Sequence, residues 1–221
     1  MTIPNYLFYF IPIAAFIPFL ASLTIFFRPG GERYLKYFSI FLFVNFVLEA
    51  INSYTSYYHI NNVLLNNIES LLVIPFDLYL LREFVASGKA KKVLLYSFFI
   101  YLVLAIVNIL LVQTSGNFNT MTYCLGTFLV IAACIYYFWE LFQQRSSVDL
   151  VRQPPFWICS GLLFYCTCTF PIFGLTDLII RLPAVILQNL YSILIVINIC
   201  LYLSFTIAFL CRLKIKRSMS T

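Results

Sequence analysis

Seven long apolar runs, separated by short polar segments, dominate the pattern of the chain. Each run is continuous over about 20 residues, the length that an α-helix needs to cross roughly 30 Å of hydrocarbon. A transmembrane β-barrel would instead show strands of about ten residues with alternating apolar and polar positions. The pattern therefore predicts an all-α, polytopic membrane protein with seven transmembrane helices in a single domain, 1–221. The predicted spans are 7–27, 34–54, 63–84, 93–112, 121–142, 156–173 and 184–211.

Composition supports the membrane prediction and removes other classes of protein. Hydrophobic residues make up 62% of the chain, charged residues only 10%, and the mean hydropathy is +0.94. These values lie far outside the range of soluble globular domains. The net charge of +6 comes from basic residues at the predicted helix ends, which membrane topology explains. We therefore expect contact with the lipid bilayer and no nucleic-acid partner.

The distribution of Lys and Arg predicts the orientation. Thirteen of the 14 basic residues fall in loops one, three and five or in the carboxyl-terminal tail, and only Arg181 falls on the other side. Cytoplasmic loops carry the excess of Lys and Arg. The amino terminus is therefore predicted to lie outside and the carboxyl terminus in the cytoplasm.

Polar residues inside spans two and three mark the candidate site. On span two, Asn45, Glu49 and Asn52 are spaced i, i+4, i+7, so they share one helix face. On span three, Asn66 and Glu69 continue the same spacing from Asn62. Since the two spans run in opposite directions, Glu49 and Glu69 should both lie about 8 to 9 Å below the outer boundary.

Span seven adds polar groups at a similar depth, and the predicted site is an outward-facing polar cavity among spans two, three and seven. Gln188, Asn189 and Ser192 are the residues that span seven contributes. Secondary candidates are Asp77 and Asn198, deeper in spans three and seven, and His59 in the outer turn. Asp77 and Glu140 are also explained by their place near the cytoplasmic ends, where the side chain snorkels to the interface or pairs with Arg82 or Arg145.

The chemistry of the pair Glu49 and Glu69 leaves two interpretations open. The two carboxyls are expected to hold one proton between them and to bind a proton, an amine or another cationic ligand. Alternatively, they hydrogen-bond to Asn52, Asn66 or Asn189 and only fix helix packing. A metal would need more ligands than the single histidine offers, so we expect no metal ion and no cofactor.

The sequence lacks residues that retinal proteins and phosphate-binding proteins require. Span seven contains no lysine for a retinal Schiff base, and the chain has no Gly-rich phosphate loop. The many Phe and Tyr residues are interpreted as lipid-facing and interfacial belts. An intramembrane acid/base hydrolase built on the two carboxyls stays a minor alternative.

Four stretches carry a family resemblance: LEAINSY, NNVLLNNIESL, PPFWICSGLLFY and NLYSILIVINICLYLSFTIAFLC. In these the chain resembles a loosely defined group of small bacterial seven-span inner-membrane proteins, similar to membrane sensor modules. The resemblance implies a heptahelical bundle in the bacterial inner (cytoplasmic) membrane and no particular activity. Seven-span proteins with the amino terminus outside often consist of three helices, one separate helix and three further helices, with the two groups of three arranged as parallel halves. Spans three and seven begin with similar sequences, which suits such a 3+1+3 arrangement.

Together these observations predict a non-catalytic membrane module. It is receptor-like or sensor-like, or it is an accessory subunit of a membrane complex, with a small ligand or a membrane-protein partner. A small-solute or proton-coupled transporter is the alternative, because Asp77 and Asn198 could extend a polar path toward the cytoplasm.

Overall fold

Within the residues that the structure describes, every regular element is a helix. The computed structural model describes residues 7–26, 33–112, 118–143, 149–175, 179 and 183–218. The long helices are α1 (Leu7–Leu23), α2 (Arg33–Tyr57), α3 (Val63–Phe84), α4 (Gly88–Val107), α5 (Thr120–Gln143), α6 (Pro154–Gly174) and α7 (Ala184–Ser218). A π-helical turn, Asn108–Val112, extends α4, and a 3-10 turn, Leu150–Arg152, precedes α6.

Each predicted span corresponds to one described helix. Six of these helices are long and apolar enough to cross a membrane, and α1 is the shorter apolar one, with 17 residues. The helices are those of a multi-pass membrane protein. The all-α prediction is thereby confirmed, whereas Arg28, Arg145 and Arg181, on which the orientation partly rests, lie outside the described residues.

Several helix ends differ from the approximate span bounds, among them the end of α1 and the start of α4. The first span was expected to continue to residue 27, but α1 ends at Leu23. The fourth was expected to begin at residue 93, but α4 begins at Gly88, where the Ser87 side chain accepts a hydrogen bond from the Ala90 amide. An N-cap serine satisfies one of the free amides in the first turn, so the helix starts within the basic segment.

Six helices form a ring and α4 packs outside it. Neighbours around the ring are α1, α2, α3, α5, α6 and α7, and α7 closes the ring on α1. The helix α4 packs against α3 and α5 only through its inner face, where Tyr101 is fully buried. Its other faces expose large apolar side chains, including Val93, Tyr96, Ile100 and Val103. In a membrane these faces contact lipid.

Close helix packing depends on a small residue in α5. A β-carbon at Gly126 would lie 2.6 Å from Cε2 of Tyr101 and 2.7 Å from Cγ2 of Ile74. Glycine therefore lets α3, α4 and α5 approach one another at this level. The Tyr101 hydroxyl donates a hydrogen bond to the backbone oxygen of Ser70, 3.4 Å away.

The carboxylate of Glu140 organises the turn between α3 and α4. Its oxygens accept hydrogen bonds from the Ala86 amide at 2.7 Å and the Ser87 amide at 3.0 Å. The predicted partner Arg145 lies outside the described residues. Glu140 thus joins the end of α5 to the start of α4 through backbone groups that the sequence pattern did not reveal.

Candidate functional site

A cavity of about 350 Å³ lies inside the ring of six helices. Its wall contains residues of α1, α2, α3, α5, α6 and α7, and α4 contributes none of the lining residues. At one end it reaches the turn between α2 and α3, where the lining residues Ser56 and Asn62 are partly exposed. The volume lies in the lower part of the roughly 300–1,000 Å³ typical of small-molecule sites.

The structure brings most of the predicted site residues to this one cavity. The lining includes Asn45, Glu49, Asn52, Asn66, Glu69, Asp77 and Asn198. Gln188, Asn189, Ser192 and His59 are not among the lining residues. The Ser192 hydroxyl instead donates to the Gln188 carbonyl oxygen one turn earlier, at 3.1 Å, and Asn189 is exposed. The residues of α7 with polar groups that line the cavity are Tyr191, Asn198 and Tyr202.

A hydrogen bond between Asn52 and Glu69 joins α2 to α3. The Asn52 Nδ2 group donates to Oε2 of Glu69 at 2.6 Å. A hydrogen bond between Glu69 and Asn52 was one of the predicted packing contacts, and the contact is confirmed. The Oδ1 atom of Asn52 is buried and has no hydrogen-bond partner among the described residues. One acceptor beside the Glu69 carboxylate is therefore available to a donor.

The second carboxyl is tied to α7 through a tyrosine. The Tyr202 hydroxyl donates to Oε1 of Glu49 at 3.0 Å and accepts from Nδ2 of Asn45 at 2.9 Å. The Tyr202 side chain is only 3% exposed. Glu49 and Asn45 lie one turn apart on α2, so the hydroxyl bridges the polar stripe of α2 to α7.

Asp77 lies deeper along α3 and makes no ion pair with Arg82, which was one of the two explanations offered for its position. Arg82 pairs with the neighbouring Glu83, 2.8 Å away. Asp77 is 4% exposed and lines the cavity, and no hydrogen bond or ion pair to its carboxyl is present among the described residues. Eight residues separate it from Glu69, which corresponds to about 12 Å along α3.

His59 has a backbone role at the end of α2. It is exposed and has a φ of 54°, the only positive φ at a non-glycine residue in the described part of the chain. The Ile60 amide bonds to the Thr55 carbonyl oxygen at 2.8 Å, and the His59 amide bonds to that of Ser56 at 3.2 Å. This pair of bonds is the Schellman motif, with His59 in the left-handed position after the helix. In the described residues, no group of three or more His, Cys, Asp or Glu side chains is arranged to hold a metal.

Aromatic side chains make up much of the cavity wall, and sequence reasoning missed them. The eight aromatic lining residues are Phe41, Phe118, Tyr123, Tyr165, Phe173, Tyr191, Tyr202 and Phe205. The many Phe and Tyr residues had been interpreted as lipid-facing and interfacial belts, whereas these eight line the cavity. One signal was present: Tyr202 lies in the middle of an apolar span, where a buried hydroxyl needs a partner.

A cluster of phenylalanines packs together at the deep end of the cavity. Phe38 of α2 is fully buried, with its ring centroid 5.0 Å from that of Phe205 and 5.4 Å from that of Phe209. The ring of Phe76 in α3 stacks on the same cluster, 6.0 Å from Phe38. Of these four rings only Phe205 lines the cavity. These phenylalanines thus form an aromatic layer that joins α2, α3 and α7 next to the polar part of the cavity.

No protein-family model, curated protein or solved structure matches the chain. The function of the cavity is therefore argued from its own geometry.

Proposed function

We propose that this protein is a receptor-like membrane module that binds a small ligand in the cavity inside its helix ring. The observation that carries the proposal is the cavity of about 350 Å³ with polar residues from α2, α3 and α7 on one wall. Polar and ionisable groups within membrane helices are costly and serve function by default. A purely structural network would leave less open volume between them.

The aromatic layer supports a binding module over a transport path. Phe76 and Phe209 both pack against Phe38, and none of these three residues lines the cavity. A ligand that enters beside Ser56 and Asn62 would stop at this layer. Binding could then change the packing of α2 against α7 and pass a signal to a membrane-protein partner. An accessory subunit of a membrane complex would use the cavity in the same way, except that its protein partner would be bound permanently.

The location and internal arrangement belong to the same proposal. The basic residues favour a multi-pass protein of the bacterial inner membrane with its amino terminus outside and the cavity open outward. The position of α4 outside the ring favours a division into α1–α3, a separate α4, and α5–α7. In such a division α3 contacts α5 as α7 contacts α1, which is the relation expected of two parallel halves. Membership of the bacterial sensor-like group stays a prediction.

The test is to extract small molecules from the purified protein and identify them by mass spectrometry. We expect one species in stoichiometric amount from the unaltered protein and its loss from Asn66→Trp, which fills the cavity from α3. The matched control is Leu64→Trp on the lipid-exposed face of the same helix, where the side chain is 57% exposed. Equal recovery from both variants would contradict a binding role for the cavity.

A transporter is the second candidate, because Asp77 and Asn198 line the same cavity below Glu69. Proton coupling or substrate transfer would need the phenylalanine layer to open. Current recordings on protein-containing membranes distinguish the two functions once a ligand is identified. A receptor gives a brief binding transient, whereas a transporter gives a sustained current.

A further inference from the structure

We propose that the ligand is a linear organic dication, a compound with an ammonium group at each end of an aliphatic chain of about four to five methylene groups. This inference rests on the proposed function, since it names the chemical class that the cavity would bind. It is carried by acidic groups at two depths, by acceptors without donors, and by an aromatic wall between the ring helices.

The charges of the cavity are one-sided. Glu49, Glu69 and Asp77 line it, and no Lys, Arg or His is among the lining residues that the structure describes. An unpaired charge in hydrocarbon surroundings is expensive, whereas a matched pair is tolerated. The protein supplies no cation in the lining, so a cationic ligand is the complement.

The hydrogen-bonding groups of the cavity also favour a cationic ligand. The Oδ1 atom of Asn52 is buried and has no donor among the described residues. Asp77 is 4% exposed, and its carboxyl offers further acceptors to the cavity that it lines. Buried acceptors in proteins nearly always have a donor. Because an ammonium group carries only donors, it satisfies these acceptors and matches their charge.

The spacing of the acceptors indicates two ammonium groups. Glu69, with Asn52 beside it, lies about 12 Å along α3 from Asp77. A charge-assisted hydrogen bond at each end takes about 2.8 Å, which leaves roughly 6.4 Å between the two nitrogens. An extended chain advances about 1.2 Å per bond, so about five or six bonds, or four to five methylene groups, span this distance.

The wall suits such a compound. Tyr123 and Phe173 pack edge to face with centroids 4.7 Å apart, and Phe118 lies 5.6 Å from each. Aromatic faces attract ammonium groups and their adjacent methylenes. An anionic ligand would meet three carboxyl groups and no Lys, Arg or His among the lining residues that the structure describes.

The experiment compares 1,5-diaminopentane with 1-aminopentane and 1,5-pentanediol as probes for the purified full-length protein in lipid nanodiscs. Affinity is measured by isothermal titration and by the rise in melting temperature, which follows from ligand binding to the folded state. We expect the diamine to bind more tightly than the monoamine by about 30-fold or more, the effect of one buried ion pair. The diol should not bind.

Three variants locate the two ammonium groups. Asp77→Asn should reduce diamine affinity to that of the monoamine and leave monoamine affinity unchanged, whereas Glu69→Gln should weaken both. Glu83→Gln removes a carboxyl that pairs with Arg82 outside the cavity and should change neither. Should Asp77→Asn fail to fold, the comparison of the three probes on the unaltered protein decides the question.

Equal binding of diamine and monoamine, tight binding of the diol, or no binding of any probe would overturn the dication inference. None of these results removes the proposed binding role, which depends on recovery of a small molecule and its loss in Asn66→Trp. Loss of that role would show instead as equal recovery from the Asn66→Trp and Leu64→Trp variants.

Discussion

Tyr202 joins the polar stripe of α2 to α7 with a single hydroxyl group. Its removal in Tyr202→Phe would leave the Asn45 amide without an acceptor and the Glu49 carboxyl without a donor. Buried groups left unpaired cost about 1–3 kcal/mol. We expect the free energy of unfolding in mixed micelles to fall by about that amount. Tyr96→Phe, at a residue that is 64% exposed on α4, is the control and should leave it unchanged.

His59 tests whether the outer turn needs an imidazole. With φ at 54° in the position after the helix, His59 occupies a conformation that glycine adopts without strain. We expect His59→Gly to keep ligand binding and to change the unfolding free energy by no more than about 1 kcal/mol. Chemical unfolding and titration with the co-purified ligand measure both. A large loss of binding in His59→Gly would restore His59 as a site residue.

The polar residues of α2 and α3 could be predicted because an i, i+4, i+7 repeat in an apolar segment defines one face. Asn45, Glu49 and Asn52 accordingly share the cavity. The part played by Tyr202 could not be predicted, because a tyrosine in a membrane helix suits the interface as well as the interior. Whether Ser192 reaches the cavity could not be predicted either, because its hydroxyl bonds to the Gln188 carbonyl oxygen of its own helix.

At the scale of the elements, Gly126 controls how closely α5 approaches α3 and α4. Since its β-carbon would lie within 2.7 Å of both Tyr101 and Ile74, Gly126→Ala must displace two buried side chains. Overpacking of this kind costs about 1–3 kcal/mol. Thermal unfolding in detergent should show the loss. In Gly88→Ala the new methyl group meets nothing within 4 Å, and stability should be kept. Similar melting temperatures for the two variants would contradict the packing described for α5.

The number of helices could be predicted from the sequence, because the thickness of the bilayer fixes the length of each apolar run. Helix ends followed less well, since a cap such as Ser87 decides where a helix starts. The place of α4 outside the ring could not be predicted. Its lipid-facing and protein-facing sides are both apolar, so no periodic pattern distinguishes them.

The whole molecule should have its α7 end in the cytoplasm. A green fluorescent protein fused after Thr221 in a bacterial host should fluoresce, whereas alkaline phosphatase at the same position should be inactive. This expectation follows from the excess of Lys and Arg on that side. Activity of the phosphatase fusion with a dark fluorescent fusion would invert the orientation and place the cavity mouth toward the cytoplasm.

The central claim is that Glu49 and Glu69 help to hold one small molecule inside the ring. Native mass spectrometry of the intact protein, released from nanodiscs, measures this most directly. We expect one small-molecule adduct per chain on the unaltered protein and none on the double variant Glu49→Gln, Glu69→Gln, with Glu83→Gln retaining it. An adduct that persists in the double variant, or its absence from the unaltered protein, would contradict the claim and reduce the two carboxyls to packing contacts.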